Sequence, residues 1–277
     1  MRPPRYLQNV LVATTAALFG AARIVPGADR PGPVTTAAVS FVAGLPAAPA
    51  SSAGSVRANG AVSSRTRDAL DAFRSAVRPL SHPRALEGAF HSYFAYRAAH
   101  PNEVRKPLLY FVDYGLPSTA PRGYVFDMDA RRIVDGPFTV AHGRGSSTSQ
   151  YGVPTRFSNM TGSAATSLGL YLAQETYAFR GKSGGSRYAS VGLRLMGVSG
   201  GFNDGARARG VVAHGAPYVT RARAGRSEGC PAMEQQRAQR LLPALANGAM
   251  VFLFAPEPQW MAGDPWLAGG DADVGGS

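Results

Sequence analysis

From Pro107 onward the chain is cut into short apolar runs by clusters of glycine, proline and small polar residues. Leu108–Tyr114 is rich in aromatic and branched side chains and closes on Gly115-Leu-Pro117. Gly123–Met128, Ile133–Ala141, Leu168–Thr176, Val191–Met196, Gly210–His214 and Ala249–Phe254 repeat that pattern. Runs of this kind between turn formers predict strands, and many of them in series predict a mainly β domain, a barrel or a sandwich. One helix interrupts the series. Ala232–Ala246 carries Met233, Ala238, Leu241, Leu242 and Leu245, Asn247-Gly248 stops it, and Pro243 is expected to kink or split it.

Two helical patterns precede the strands. Thr66–Val77 places Leu70, Phe73 and Val77 on one face, and Arg84–Ala99 does the same with Leu86, Phe90, Phe94 and Arg97 before His100-Pro101 ends it. His82, His91 and His100 fall here without a shared face with a carboxylate pair, and read as surface or packing residues. The first residues resemble an export signal, with Arg2 and Arg5 ahead of an apolar stretch, Val10–Ala22. That stretch is shorter than the roughly 20 residues a membrane-spanning helix needs. No later segment could span a bilayer, so an exported protein without stable membrane insertion is expected. The resulting plan is a signal over 1–25, an Ala/Pro-rich linker over 26–64, a helical segment over 65–104, a β-rich domain over 105–257 and a flexible Gly/Asp-rich tail over 258–277.

The formal charge of the 277-residue chain is +12, and arginine dominates lysine. Such a balance draws a protein towards polyanions. The basic residues are scattered, however, with no zinc-finger spacing, aromatic RNA-binding motif or heptad-linked basic region, so no nucleic-acid partner is expected. Gly143-Arg-Gly145 lacks the spacing and the βαβ surroundings of a phosphate loop.

There is one cysteine, Cys230. An internal disulfide is impossible, as is a metal site needing two thiolates, and no metal or organic cofactor is expected. A free cysteine is commonly a small buried hydrophobe, but Arg226, Ser227 and Glu228 make this a polar loop. Cys230 is expected just ahead of a helix, whose free N–H groups and dipole would favour thiolate. The N–H groups of Gly229 and Cys230 are candidates for holding an oxyanion. His214, sixteen residues upstream at a strand end, is the candidate base.

These residues bring a family into view. Val211-Val-Ala-His-Gly-Ala216 and Gly225-Arg-Ser-Glu-Gly-Cys-Pro-Ala232 resemble the signature of the L,D-transpeptidase catalytic domains of peptidoglycan enzymes: His-Gly, a gap, then Ser-x-Gly-Cys. Asp113–Ser118, Val140–Gly143, Phe157–Asn159, Ser167–Gly169, Leu193–Gly197 and Phe202–Asp204 add to the likeness in order, and Pro231-Ala232 points to the murein branch. The resemblance implies a β-rich barrel or sandwich with Cys230 as nucleophile, His214 as base and the Gly215 carbonyl as third member. Ser227 would shape the loop. Glu228 stands where many members carry histidine, and the arginine common after the cysteine is absent, leaving Arg226 as a candidate for a substrate carboxylate. His142 is a further candidate for the cleft. The implied substrate is a peptidoglycan stem peptide, met outside the cytoplasm in the periplasm or envelope. Transfer to an amine and transfer to water (L,D-carboxypeptidase action) both stay open, as do another wall thiol peptidase or amidase, a non-catalytic wall-binding protein, and the oligomeric state.

Overall fold

The computed structural model describes residues 51–267, with side chains from residue 58 onward. The expected export signal and the linker as far as residue 50 lie outside the described residues. The rest of that linker is not a linker: helix α1 runs Ser51–Phe73. Its small-residue composition conceals a buried stripe, Val62, Thr66, Ala69 and Phe73, at the spacings of one helix face. Helix α2, Ala85–Ala99, buries Leu86, Ala89, Phe90, Tyr93 and Phe94. Phe73 meets Phe90 at 5.5 Å between ring centroids, and both meet Phe126 of the sheet, at 4.9 and 5.4 Å. Tilted and edge-on rings at these separations add to the area they bury.

The fold is mainly β, as the strand pattern predicts. Eight strands form one mixed sheet in the order β3 (Arg132–Phe138), β2 (Gly123–Asp127), β1 (Leu108–Asp113), β10 (Met250–Phe254), β5 (Gly169–Ser183), β6 (Ser186–Gly197), β7 (Val212–Gly215) and β9 (Ala232–Met233). Neighbours are antiparallel except β1 with β10 and β7 with β9. The central strands β1 and β10 are buried almost throughout, which explains their unbroken apolar sequences. Beyond β3, Ala141 bridges to Ala232 of β9, with Ala141 N–H donating to Ala232 O at 2.8 Å, so the two edges of the sheet are drawn together. Short strands β4 (His142–Gly143) and β8 (Arg226–Ser227) pair beside this junction.

Two strands are longer than their apolar cores. β5 and β6 continue past Thr176 and before Val191 as a hairpin ribbon, turned by Gly184 and Gly185 at φ +55° and +82°. Two successive positive φ values make the tight turn that suits strand twist, and glycine adopts them without strain. Helix α3, Gln235–Leu245, runs through Pro243 as one helix. The proline sits in the last turn, where few backbone bonds remain to be lost, and Ala238, Leu241, Leu242 and Leu245 anchor the buried face. Asn247 and Gly248 end it at φ +61° and +120°.

Within the expected flexible tail, residues 258–267 are described, and they are packed on the domain. Helix α4, Pro258–Gly263, is capped by Glu257, which accepts from Trp260 N–H at 2.7 Å. Trp260 packs 5.9 Å from Phe252 and 5.6 Å from Phe254, and its indole donates to buried Asp264 at 2.8 Å. Trp266 donates to Val198 O at 2.7 Å. Two tryptophans outweigh the glycine-rich composition around them.

Candidate active site

His214 and Cys230 lie on neighbouring parallel segments. His214 of β7 is in register with Ala232 of β9, and its N–H donates to Pro231 O at 3.3 Å. Cys230 stands two residues before Ala232. Residues in register on parallel strands share a face, so His214 and Ala232 point the same way, with Cys230 in the loop just ahead of β9.

The His214 ring stacks on Phe179, centroids 4.2 Å apart and planes at 19°, with Tyr218 edge-on at 6.5 Å. Its Nδ1 lies 3.1 Å from Gly215 O. A carbonyl only accepts, so Nδ1 carries the proton and Nε2 keeps a lone pair for a base. Burial pushes the imidazole down to about 4, against a small upward pull from the Gly215 bond. The ring is therefore neutral at neutral pH.

Cys230 is half-buried and lines a cavity of about 240 Å³ with Glu228, Arg209–Val211, Gly162 and Ala164. Among the described residues no hydrogen bond joins its sulfur to His214. Burial pushes the thiol up, and a backbone hydrogen bond from Val212 and the charge of Arg209 work against that rise. The helix expected to activate it does not begin at the cysteine. β9 intervenes and α3 starts only at Gln235, so the sulfur lies beyond the first turn in which a helix terminus acts.

Ser227 ties the loop together. Its hydroxyl donates to Cys230 O at 2.7 Å and accepts from Gly229 N–H at 3.2 Å. The Gly229 N–H is thus engaged inside the loop, which corrects its expected place as a free oxyanion donor. The Cys230 N–H has no protein acceptor among the described residues. Gly229 adopts φ +120°, and a Cβ there would lie 2.9 Å from Ala165 O. A side chain at neighbouring Gly143 would lie 2.8 Å from the Gly229 α-carbon. The wall and the loop touch backbone to backbone, which only glycine permits.

Arg226 is not among the residues that line the cavity. Its Nη1 donates to Ser147 O at 2.9 Å and Thr148 O at 3.3 Å, pinning that loop to β8. His142, opposite Arg226 in β4, is fully buried. Its Nδ1 lies 3.0 Å from Arg122 Nη2 and must accept, because a guanidinium only donates. The proton then sits on Nε2, which has no partner. Burial, Arg122 and Arg226 push this imidazole down to about 3.

Three further charged residues frame the site, two of which, Arg122 and Arg209, lie outside the motif. Arg122 is fully buried, donates to Val140 O at 3.1 and 2.7 Å, and lies 4.7 Å over the Tyr114 ring. Burial lowers it to about 10. Glu228 at the cavity mouth is held by Arg144 Nε at 2.8 and 2.9 Å, with both side chains largely in water. Arg209 spans four acceptors of the 158–167 segment: Ser158 O, Ser167 Oγ, Ser163 Oγ and Ala165 O. No spacing rule singles out such arginines, because their partners are carbonyls and serine hydroxyls distant in sequence.

The segment forming the cavity wall also lines a larger cleft of about 810 Å³, with Phe157, Met160, Phe202 and Trp260. Asn159 is committed to Asp204 and Gly205 N–H, and the Tyr171 hydroxyl to Ser167. Among the described residues no group of three His, Cys, Asp or Glu is placed to hold a metal ion.

Residues 79–254 match the L,D-transpeptidase catalytic domain family, and the chain belongs to it. No curated protein matches the sequence. Among solved structures it is similar to an L,D-transpeptidase from Mycobacterium smegmatis, with 13% identity over 54% of this chain and 59% of that one and a TM-score of 0.33. An L,D-transpeptidase from Mycobacterium tuberculosis H37Rv gives 16%, 53%, 57% and 0.33, and one from Stackebrandtia nassauensis 16%, 63%, 68% and 0.31. The chain thus spans less than two thirds of the length of the two mycobacterial proteins.

Proposed function

We propose that this protein is an exported peptidoglycan L,D-transpeptidase with Cys230 as nucleophile and His214 as base. The observation that carries the reading is the sole thiol at a cavity, one strand away from an imidazole whose Nδ1 is committed to Gly215 O. That bond leaves Nε2 to take a proton, and the family supplies the substrate class. Cys230 Sγ attacks the carbonyl of the L-centre residue at position three of a stem tetrapeptide, and its proton passes to His214. The tetrahedral intermediate collapses as the C–N bond to D-alanine breaks, and His214 returns the proton to the departing amine. The thioester is then taken by an amine of another stem, giving a 3→3 cross-link, or by water. In each case the incoming nucleophile loses a proton to His214 and the thiol regains one. The Cys230 N–H, free of a protein acceptor, is the donor available to the oxyanion. Export rests on the N-terminal stretch Met1–Ala22, which places the thiol where its substrate is.

The test is intact-mass measurement after exposure to a stem tetrapeptide or a carbapenem. An acyl adduct is expected on the wild type, absent in Cys230→Ala and formed about 10²–10⁴-fold more slowly in His214→Ala, the span of a general base. An undiminished adduct in Cys230→Ala would refute the assignment.

A further inference from the structure

We propose that Arg209 is a positioning residue for Cys230: a full positive charge, held by neutral acceptors only, that faces the nucleophile's cavity and favours its thiolate. The inference rests on Cys230 being the nucleophile.

Three observations converge on it. Arg209 and Cys230 line the same small cavity. The guanidinium donates at 2.7 Å to Ser158 O, at 2.8 Å to Ala165 O and at 3.3 Å to each of the Ser163 and Ser167 hydroxyls. Two carbonyls and two hydroxyls fix its place and leave its charge uncancelled, for it has no ion pair among the described residues. An arginine on a surface normally needs no such framework, and one serving only to staple a loop gains nothing from being kept clear of carboxylates. The four bonds also close the 158–167 segment into the wall that Ala165 and Gly229 share.

The other groups around the sulfur do not supply this charge. Tyr114, Tyr171, Tyr177, Tyr188 and Tyr218 surround it, and burial raises every one of them, so they are neutral. His214 is neutral through burial. Glu228 is the opposing charge and raises the thiol, but Arg144 spans its carboxylate in the solvent at the mouth. Arg209 is the cation that lowers it. The sequence places it five residues before His214, on the chain that leads directly into β7, so one segment delivers both the base and the charge.

The experiment is the pH dependence of alkylation of Cys230 by iodoacetamide, which reads the chain's single thiol without any turnover. In Arg209→Gln the charge goes and the midpoint is expected to rise by about one pH unit, so that alkylation below the midpoint slows about tenfold. In Arg209→Lys the charge stays, the fork of four bonds does not, and the midpoint is expected within about 0.3 units of wild type. Thermal unfolding identifies the folded variants. A folded Arg209→Gln with the wild-type midpoint overturns the proposal, and so does Arg209→Lys rising as far as Arg209→Gln, which would mark a purely structural role. Should Arg209→Gln not fold, Arg209→Met takes its place as the charge-free variant: a rise of about one unit supports the proposal and a wild-type midpoint overturns it. If the adduct experiment instead shows that Cys230 is not acylated, the transpeptidase reading fails while the alkylation profile still reports the charge.

Discussion

Lowering the pH below 6.5 should destabilise this fold steeply, because two of its imidazoles are neutral only by burial. His142 is pushed from 6.5 to about 3 and His214 from 6.5 to about 4. As the pH falls through 6.5 the unfolded chain takes up a proton at each, while the folded chain takes up neither until about 4. Stability is therefore lost between about 6.5 and about 4, the direction required when the unfolded state binds more protons. At about pH 5.5 the unfolded state holds roughly 1.8 more protons at these two sites, a slope of about 2.4 kcal/mol per pH unit. Asp113 and Asp264, raised by burial, act with the opposite sign, since their carboxyls are protonated first in the folded state. The variant His142→Gln removes one imidazole from the sum without touching those carboxylates, and its amide oxygen can still accept from Arg122. Urea unfolding from about pH 7 to about pH 5, with the m-value held common, gives the two slopes. The His142→Gln line should be shallower by about 1.2 kcal/mol per pH unit. Parallel lines would refute the reasoning, whatever the absolute stabilities.

Two further outcomes follow from packing. In Gly143→Ala a Cβ would meet backbone atoms of Gly229 at 2.8 Å and Thr166 at 2.9 Å, so the wall and the Cys230 loop must separate. The overpacking cost is about 1–3 kcal/mol, and an unchanged thermal midpoint would contradict it. In Trp260→Ala the indole leaves the rings of Phe252 and Phe254 and its bond to Asp264, at a cost of about 3–5 kcal/mol in urea unfolding. A loss below about 1 kcal/mol would mean that α4 is dispensable to the core.

The sheet was legible because β10 is apolar throughout, β1 and β2 are apolar but for a closing aspartate, and all three are bounded by turns. The outer hairpin was not, since Tyr177–Ser190 mixes aromatic residues with Arg180, Lys182 and Arg187 in a ribbon with one wet side. Gly184-Gly185 was the available signal, a glycine pair between two alternating runs. The start of α1 was hidden because alanine, serine and glycine serve helix and linker equally, and only tertiary burial of Val62 and Thr66 separates them. At the site, the motif residues His214, Gly215, Ser227 and Cys230 come together on β7, β8 and the loop before β9. Arg226 and Gly229 show what a motif leaves out. Residue type says which bonds a group can make, whereas only the fold says which are already made: Arg226 Nη1 and the Gly229 N–H are both engaged inside the loop system.

That distinction bears on how the thiol is activated. A histidine oriented by a carboxylate would gain basicity from the negative charge, and the resting state would shift towards an ion pair with the thiol. Here a neutral carbonyl orients His214, and burial outweighs the upward pull of that bond and lowers its affinity for a proton. The same burial raises the thiol. Both effects favour a resting state of neutral thiol and neutral imidazole, which also spares Cys230 from oxidation, since the thiolate is the reactive form. In the proposed mechanism the charge separation is then deferred until a substrate carbonyl is present to take the electrons. At that moment Arg209 is the cation already in place beside the sulfur, requiring no reorganisation, and its four neutral acceptors are what keep it from being quenched beforehand.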